Sequence, residues 1–476
     1  MPINSFLYPG AKVTPAYEVA NSCRFNDDDN PKMVVTPSSS GTNAGKIYTL
    51  SAWVKFGNIG VDKTIWSCST DTYIYITGAG VISCNFRRNG GTNYEYNSTR
   101  KLRDPSAWYH IVLRVDTTDS TDADKVQVYV NNQEDTPATT TYQNMADDYE
   151  TGANVSGVEQ RIGVYSDGSL DFDGYMAEVI MVDNQSLAPT EFGEYDEDSP
   201  NIWKPKDISD ISVGTNGYYL DFEDSSNLGN NAAGSGSADL TETNLAATDQ
   251  STDSCTNNFA TMNSIENTAA STFSEGNLQV LTHSGNFSYN ISTIGVSAGK
   301  WYCEIKCTAQ SSDENKFKVG IAGKTTASTS DFLGENTATD DTISYNGTDG
   351  DYQKAGTEVS YGDSYTTNDI LGIALDVDNS KLYFSKNGTF QNSGDPTTGA
   401  TGTGAISTGS PSTGFWHFAL GDVDNNTTYT YQINFGNPVH SISSGNSDAN
   451  GYGNFEYAVP SGYYALNTKN LAEYGG

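Results

Sequence analysis

The chain has 476 residues and a formal net charge of −34, from 59 acidic and 25 basic residues. This charge repels phosphate, so it excludes direct nucleic-acid binding and disfavours an anionic membrane surface. Aromatic residues make up 11% of the chain, which excludes a disordered protein. The abundance of Gly, Ser, Thr, Asn and Tyr favours an all-β protein with many turns.

Residues 1–20 predict an extended N-terminal arm, because they show no hydrophobic periodicity. Phe6, Leu7, Tyr8 and Tyr17 make the arm more apolar than a solvated tail requires, which favours an anchor that docks elsewhere over a free tail. The arm lacks the basic and apolar regions of a signal peptide, and no apolar run in the chain reaches the length of a membrane span.

Residues 21–230 predict a first β domain, because apolar and polar residues alternate along several short runs. In "IYTLSAWVKFG" (47–57), one face carries Tyr48, Leu50, Ala52 and Val54. Alternation of this kind is typical of strands with one face in a core. Residues 231–266 lose this periodicity, and their Ser/Thr/Asn/Ala-rich composition predicts a long linker that lies against one of the domains.

Residues 267–476 predict a second β domain. The stretch "DILGIALDVDNSKLYFSKNG" (369–388) predicts a hairpin, since two alternating runs flank a turn at Asp378-Asn379. The spacing of Asp376, Asp378 and Ser380 suggests a calcium loop, but the required glycine and the acidic twelfth ligand are missing. The complete chain is therefore predicted to be all-β, with two antiparallel β-sandwich (jelly-roll) domains, a long linker and an N-terminal arm.

Isolated side chains give weaker signals. The six cysteines show no CxxC pair and predict free thiols in a reducing compartment, with a Cys68–Cys84 bridge as the alternative. The four histidines lack zinc-site spacing, and His110 and His417, which lie inside predicted strands, are expected to be packed there. The tryptophans Trp53, Trp108, Trp301 and Trp416 predict core positions. A further set of aromatic residues surrounds loops and predicts a surface that stacks on a sugar or a partner: Tyr345, Tyr352, Tyr361 and Tyr365.

The second domain resembles a SPRY (B30.2) domain in "GKWYCEIKC" (299–307), "KVGIAG" (318–323), "NDILGIALDVDNSKLYFSKNGTF" (368–390) and "INFGNP" (433–438). The first resembles a laminin-G-like, concanavalin A-type jelly roll in "YTLSAWVKFG" (48–57), "SAWYHIVLRVD" (106–116) and "FDGYMAEVIMVDNQSL" (172–187). Three further motifs are "RFNDDDNPKMVVTPSSSG" (24–41), "NLAATDQSTDSCTNNFATMN" (244–263) and "YYALNTKNL" (463–471). With these motifs, the whole arrangement resembles virion proteins of marine tailed bacteriophages.

The laminin-G-like resemblance implies two kinds of site. Such domains often hold calcium at the rim, and Asp27, Asp28 and Asp29 offer the hard oxygen ligands that calcium needs. Concanavalin A-like folds also include glycoside hydrolases, which need two carboxylates on one strand face. Glu178 and Asp183 lie five positions apart and so point to opposite faces, which argues against catalysis. No catalytic residue and no cofactor other than calcium is predicted.

The phage resemblance implies a non-enzymatic virion protein, fibre-like or spike-like, that binds a host-surface glycan or protein. Its partners would be other virion proteins and a host receptor, in a homo-oligomer for which a trimer is the guess. The location would be the virion, after assembly in the host cytoplasm. The alternatives are a capsid-decorating, head-fibre or adaptor protein and, third, a polysaccharide-degrading enzyme.

Overall fold

A computed structural model describes residues 17–475 except 70, 89, 198, 268–269, 286, 324–331, 336–340 and 424–425. Phe6, Leu7 and Tyr8 of the predicted anchor lie outside the described residues. Strands account for 38% of the chain and helices for 7%, so the all-β prediction is confirmed. None of the described helices is long and apolar enough to cross a membrane.

The first sandwich is built from antiparallel strands that form two large sheets. Its strands are β1 (Ser22–Phe25), β2 (Lys32–Val35), β3 (Ile47–Phe56), β4 (Lys63–Cys68), β5 (Thr72–Ile76), β6 (Val81–Phe86), β7 (Glu95–Lys101), β8 (Tyr109–Asp116), β9 (Val126–Val130), β10 (Gln133–Glu134), β11 (Pro137–Thr140), β12 (Gln160–Ile162), β13 (Gly174–Asp183), β14 (Gly193–Tyr195), β15 (Trp203–Pro205), β16 (Tyr218–Leu220), β17 (Thr241–Thr243) and β18 (Gln250–Ser251). One sheet has the order β10-β9-β8-β3-β13-β1-β18, with β16 beside β13. The other has the order β11-β7-β6-β5-β4-β12-β2-β17, and β14 and β15 form a separate hairpin.

The second sandwich also pairs two sheets. Its elements are β19 (Thr272–Ser274), β20 (Gln279–Leu281), β21 (Ser288–Ile291), β22 (Lys300–Gln310), β23 (Phe317–Ala322), β24 (Thr342–Asn346), β25 (Asp351–Lys354), β26 (Thr357–Ser360), β27 (Ile370–Asp376), β28 (Lys381–Lys386), β29 (Thr389–Phe390), β30 (Ile406–Ser407), β31 (His417–Asp422), β32 (Tyr429–Asn434), β33 (Tyr464–Ala465) and the helix α1 (Thr468–Tyr474). The sheets run β19-β20-β32-β22-β27-β28-β29 and β21-β31-β23-β24-β25-β26.

Short 3₁₀ helices interrupt the loops of both sandwiches. They span Asp27–Asp29, Asp122–Asp124, Thr141–Asn144, Pro189–Glu191, Ala247–Asp249 and Pro396–Thr401.

The alternation predicted from the sequence sets the faces of β3. Tyr48, Leu50, Ala52 and Val54 are each at most 2% exposed and belong to the core between the two sheets. Trp53 is offset by one residue, so it lies on the opposite face of the sheet. The hairpin predicted at 369–388 is confirmed, since β27 and β28 pair antiparallel.

The segment predicted as a linker, 231–266, is not free of strands. β17 pairs with β2, and β18 pairs with β1, so the segment adds an edge strand to each sheet of the first sandwich. These strands have only three and two residues and are mostly polar. They cannot be predicted from the sequence, because a polar run of two or three residues shows no hydrophobic periodicity.

A buried ion pair fixes the chain where it passes from the first sandwich to the second. Lys55 Nζ lies 2.7 Å from Asp253 Oδ2, and both side chains are at most 1% exposed. Lys55 also donates to Asn258 Oδ1 and to the Phe259 carbonyl, at 2.7 and 2.9 Å. Trp108 Nε1 donates to Asp253 Oδ1 at 3.1 Å. Burial lowers the pKa of Lys55 and raises the pKa of Asp253, in each case against the attraction of the partner.

Further contacts join the two sandwiches directly. Arg24 on β1 reaches Asp249 at 3.1 Å and Glu275 of the second sandwich at 3.0 Å. Tyr175 on β13 donates its hydroxyl proton to the Gly276 carbonyl at 3.0 Å. We call this set of contacts, with the Lys55–Asp253 pair, the domain junction.

Tyr17, at the start of the described chain, packs on the first sandwich. Its hydroxyl donates to Glu178 Oε2 at 2.9 Å, and Tyr219 donates to the same carboxylate at 2.9 Å. Glu178 is 4% exposed and has a φ of 49° at an irregularity of β13. The described end of the predicted arm, at Tyr17, therefore packs against the first sandwich of the same chain.

Candidate functional site

A cleft of about 480 Å³ opens on the outer face of the first sandwich. We call it the aromatic cleft, after the four aromatic side chains in its wall. It is lined by Trp53, Arg100, Trp108, Val130, Asn131, Gln133, Tyr195, Pro200, Asn201 and Trp203. The volume falls within the range of about 300–1,000 Å³ that is usual for ligand pockets.

The hairpin β14–β15 forms one wall of the aromatic cleft. Tyr195 and Trp203 are paired residues of the hairpin, and their rings meet edge to face with centroids 5.0 Å apart. Gly193 permits this packing, since a Cβ there would lie 2.5 Å from the Trp203 ring. Tyr195 is 40% exposed and Trp203 is 9% exposed, so Tyr195 presents the more accessible ring.

His110 sits behind the aromatic cleft and positions two of its rings. The imidazole stacks on Trp53, with centroids 4.8 Å apart and an interplanar angle of 17°. Nδ1 accepts a hydrogen bond from Trp203 Nε1 at 2.9 Å, and Nε2 lies 2.8 Å from Ser51 Oγ. Burial lowers the pKa of His110 to about 3, so the ring is neutral and Nε2 carries the proton. This confirms the prediction of a packed strand histidine.

Polar groups rim the aromatic cleft. Gln133 Nε2 donates to the Tyr195 hydroxyl at 2.9 Å, and Arg100 Nη1 donates to the Val130 carbonyl at 3.2 Å. Asn131 Oδ1 accepts from the backbone N–H of His110 at 2.8 Å. Aromatic faces beside amide and guanidinium groups are suited to a ligand with one apolar face and hydroxyl groups at its edge.

The tyrosines predicted to form a binding surface do not do so. Tyr345, Tyr361 and Tyr365 are 0%, 6% and 2% exposed and belong to the core of the second sandwich. Tyr365 donates to the Tyr345 carbonyl at 2.7 Å, and Tyr345 stacks on Phe384 with centroids 5.3 Å apart. Tyr352 is half-buried on β25, opposite Tyr345. The prediction is wrong because these residues lie on or against strands whose apolar face they complete.

The structure does not assemble the calcium ligands predicted at Asp27, Asp28 and Asp29. The three residues form a 3₁₀ turn, which points successive side chains about 120° apart. Across the described ranges, no three His, Cys, Asp or Glu side chains converge to hold a metal ion.

The structure also locates the cysteines and the tryptophans singled out from the sequence. None of the six cysteines, which lie within the described residues, is in a disulfide, so the Cys68–Cys84 bridge does not form. Trp301 and Trp416 are at most 1% exposed and lie in the core of the second sandwich, as predicted. Trp53 is 3% exposed and belongs to a smaller buried cluster outside the core between the sheets, Trp108 is half-buried against that cluster, and both line the aromatic cleft.

Comparison with family models finds one match in each sandwich. A model of the concanavalin A-like lectin/glucanases superfamily (Laminin_G_3) matches residues 28–191, and a SPRY domain model matches residues 300–406. The chain carries a concanavalin A-like domain followed by a SPRY domain. The match to the concanavalin A-like model ends before the hairpin β14–β15, so Tyr195 and Trp203 of the aromatic cleft lie beyond it.

The chain is also similar to several solved structures. The SPRY domain of human HERC1 is 17% identical, over 33% of this chain and 87% of that one, with a TM-score of 0.26. A SAP-like pentraxin from Limulus polyphemus is 17% identical, over 36% and 80%, with a TM-score of 0.27. The CBM40 of Ruminococcus gnavus IT-sialidase is 16% identical, over 32% and 82%, with a TM-score of 0.24. A search of curated proteins gives no match.

Proposed function

We propose that this chain is a non-enzymatic adhesion protein of a tailed-bacteriophage virion, fibre-like or spike-like, that binds a host-surface glycan. The aromatic cleft is the observation that carries the proposal. Trp108 and Tyr195 offer rings that can stack on the apolar face of a sugar. Gln133 and Arg100 lie at the edge of the cleft, where they can form hydrogen bonds with the hydroxyl groups of the sugar. The phage context rests on the resemblance of the sequence motifs.

The chemistry of the aromatic cleft supports binding without catalysis. Glycoside hydrolysis requires two carboxyl groups across the scissile bond, about 5–5.5 Å apart in retaining enzymes. Among the described residues that line the aromatic cleft, none is Asp or Glu. The described lining therefore provides no pair of carboxyl groups for this chemistry.

Replacing Tyr195 with alanine is expected to weaken binding to purified surface polysaccharide of the host at least tenfold. Loss of a central aromatic contact typically costs about 2 kcal/mol or more of binding free energy, and about 1.4 kcal/mol is a tenfold change in Kd. Because Tyr195 is 40% exposed, its replacement should leave the fold intact. Isothermal titration calorimetry measures the change.

Phe415→Ala is the matched control, since Phe415 is also an exposed aromatic residue, 48% exposed, and lies in the second sandwich. This variant should bind as the unmodified protein does. Equal losses in the two variants, or an unchanged affinity for Tyr195→Ala, would contradict the assignment of the aromatic cleft.

The virion location is tested by immunogold electron microscopy of intact particles with an antibody to residues 267–476. We expect label on the tail or its fibres. Label over the head would instead favour the capsid-decorating or head-fibre alternative. Particles without label would contradict every virion role. A homotrimer, other virion proteins as partners and assembly in the host cytoplasm are part of the same proposal.

A further inference from the structure

A second cleft, of about 210 Å³, lies between the two sandwiches next to the domain junction. We call it the junction cleft. Part of its wall comes from two of the sequence motifs singled out above: Ala247, Thr248 and Gln250–Thr252 of "NLAATDQSTDSCTNNFATMN", and Asn437 and Pro438 of "INFGNP". Neither motif contributes to the aromatic cleft.

The junction cleft is closed on one side by contacts between the sandwiches. Thr252 Oγ1 donates to the Gly436 carbonyl at 3.1 Å, and Arg24 Nη1 reaches the Pro438 carbonyl at 3.5 Å. The cleft is therefore a built part of the junction, and it exists only when both sandwiches are present.

Asn437 is the side chain that makes this cleft unusual. It is 1% exposed and lines the cleft, yet neither its amide nitrogen nor its amide oxygen has a hydrogen-bond partner among the described residues. Both ring nitrogens of His440, a second lining residue, are also buried without a partner in the described part of the chain. Buried polar side-chain atoms usually have a hydrogen-bond partner, so four of them without one at a single cleft point to a ligand or ordered water that satisfies them.

The charges of the junction cleft limit what that ligand can be. Its described lining residues carry no Asp, Glu, Lys or Arg, although the chain has 59 acidic and 25 basic residues. Burial lowers the pKa of His440 to about 4, so its imidazole is neutral and offers one donor and one acceptor. An ionic ligand would find no lining side chain of opposite charge, so the lining favours a neutral ligand.

Hydroxyl groups fit these partners best, because each one both donates and accepts, as an Asn amide and a neutral imidazole do together. The cleft is smaller than the pockets of about 300–1,000 Å³ that hold drug-sized ligands. We infer that the junction cleft binds a single neutral sugar unit through Asn437 and His440. This site is separate from the aromatic cleft, so either assignment can fail alone.

The test is saturation-transfer NMR and calorimetry on the full chain with four probes: the methyl glycosides of glucose, galactose, mannose and N-acetylglucosamine. At least one probe is expected to bind. Asn437→Leu should weaken that binding at least tenfold, because it removes both amide partners. Ser441→Trp should do the same by filling the cleft from its exposed rim, without altering a buried residue. Tyr195→Ala, in the aromatic cleft, should leave it unchanged.

Three results would overturn the inference. The first is that none of the four glycosides binds, which would mean that solvent alone satisfies Asn437 and His440. The second is that Ser441→Trp binds as tightly as the unmodified protein, whatever Asn437→Leu does. The third is that only Tyr195→Ala loses binding, which would place the sugar in the aromatic cleft alone.

Discussion

Replacing Asp253 with alanine is expected to lower the free energy of unfolding by about 3–5 kcal/mol, the usual cost of leaving a buried charge without its partner. The Lys55 side chain is 1% exposed, and its ammonium would keep the side-chain oxygen of Asn258 and the main-chain carbonyl of Phe259 as hydrogen-bond acceptors. Trp108 Nε1 would lose its acceptor as well. Urea unfolding followed by tryptophan fluorescence measures the change, and the slope of the transition shows whether the two sandwiches still unfold together.

Two variants separate this effect from the general effect of removing a carboxylate. Asp148→Ala breaks the Lys46–Asp148 pair, whose side chains are 28% and 66% exposed, and should change stability by no more than about 0.5 kcal/mol. The double variant Lys55→Met/Asp253→Leu removes both charges and should recover much of the loss. If Asp253→Ala were no more damaging than Asp148→Ala, the ion pair would not stabilise the junction.

Replacing Glu178 with glutamine is expected to stabilise the protein by about 3 kcal/mol at alkaline pH and to have little effect in acid. Burial raises the pKa of Glu178 from 4.5 to about 7, against the opposing hydrogen bonds from Tyr219 and Tyr17. The native state therefore binds the proton more tightly than the unfolded chain does. The stability from this group is complete below about pH 4.5 and is lost as the pH rises through about 7.

Urea unfolding of both proteins at about pH 4 and about pH 8 tests the sign, because the difference between them isolates one group. Glutamine keeps an oxygen that accepts from the tyrosines but cannot ionise. Glu223→Gln, at an exposed neighbour that also raises the pKa of Glu178, is the control and should show a much smaller pH-dependent difference. A constant difference between Glu178→Gln and the unmodified protein at both pH values would contradict the proton linkage.

The strands with strong alternation could be predicted from the sequence. The runs at 47–57 and 369–388 carry enough apolar residues at a spacing of two to fix both the element and its buried face. The edge strands β17 and β18 could not be predicted, because they are held by backbone pairing and not by side-chain burial. Their place depends on which strands are left with an open edge, and that is a property of the folded sheet.

The aromatic cleft was missed for a related reason. Once Ala52 and Val54 are assigned to the core, the same alternation puts Trp53 on the outer face, so the signal was present. The sequence alone does not show which segment packs on that face, because the hairpin β14–β15 lies more than a hundred residues later in the chain. The opposite error affects Tyr345 and Tyr361, because turn residues nearby suggested loops where the rings complete a core.

The domain junction also determines how this architecture can be inherited. Lys55 belongs to a strand inside the concanavalin A-like match, whereas Asp253 follows that match and precedes the SPRY match. A recombination event that transferred residues 28–191 alone would separate the ammonium from its carboxylate. Genetic exchange that keeps this ion pair must therefore carry the connecting segment together with the concanavalin A-like domain.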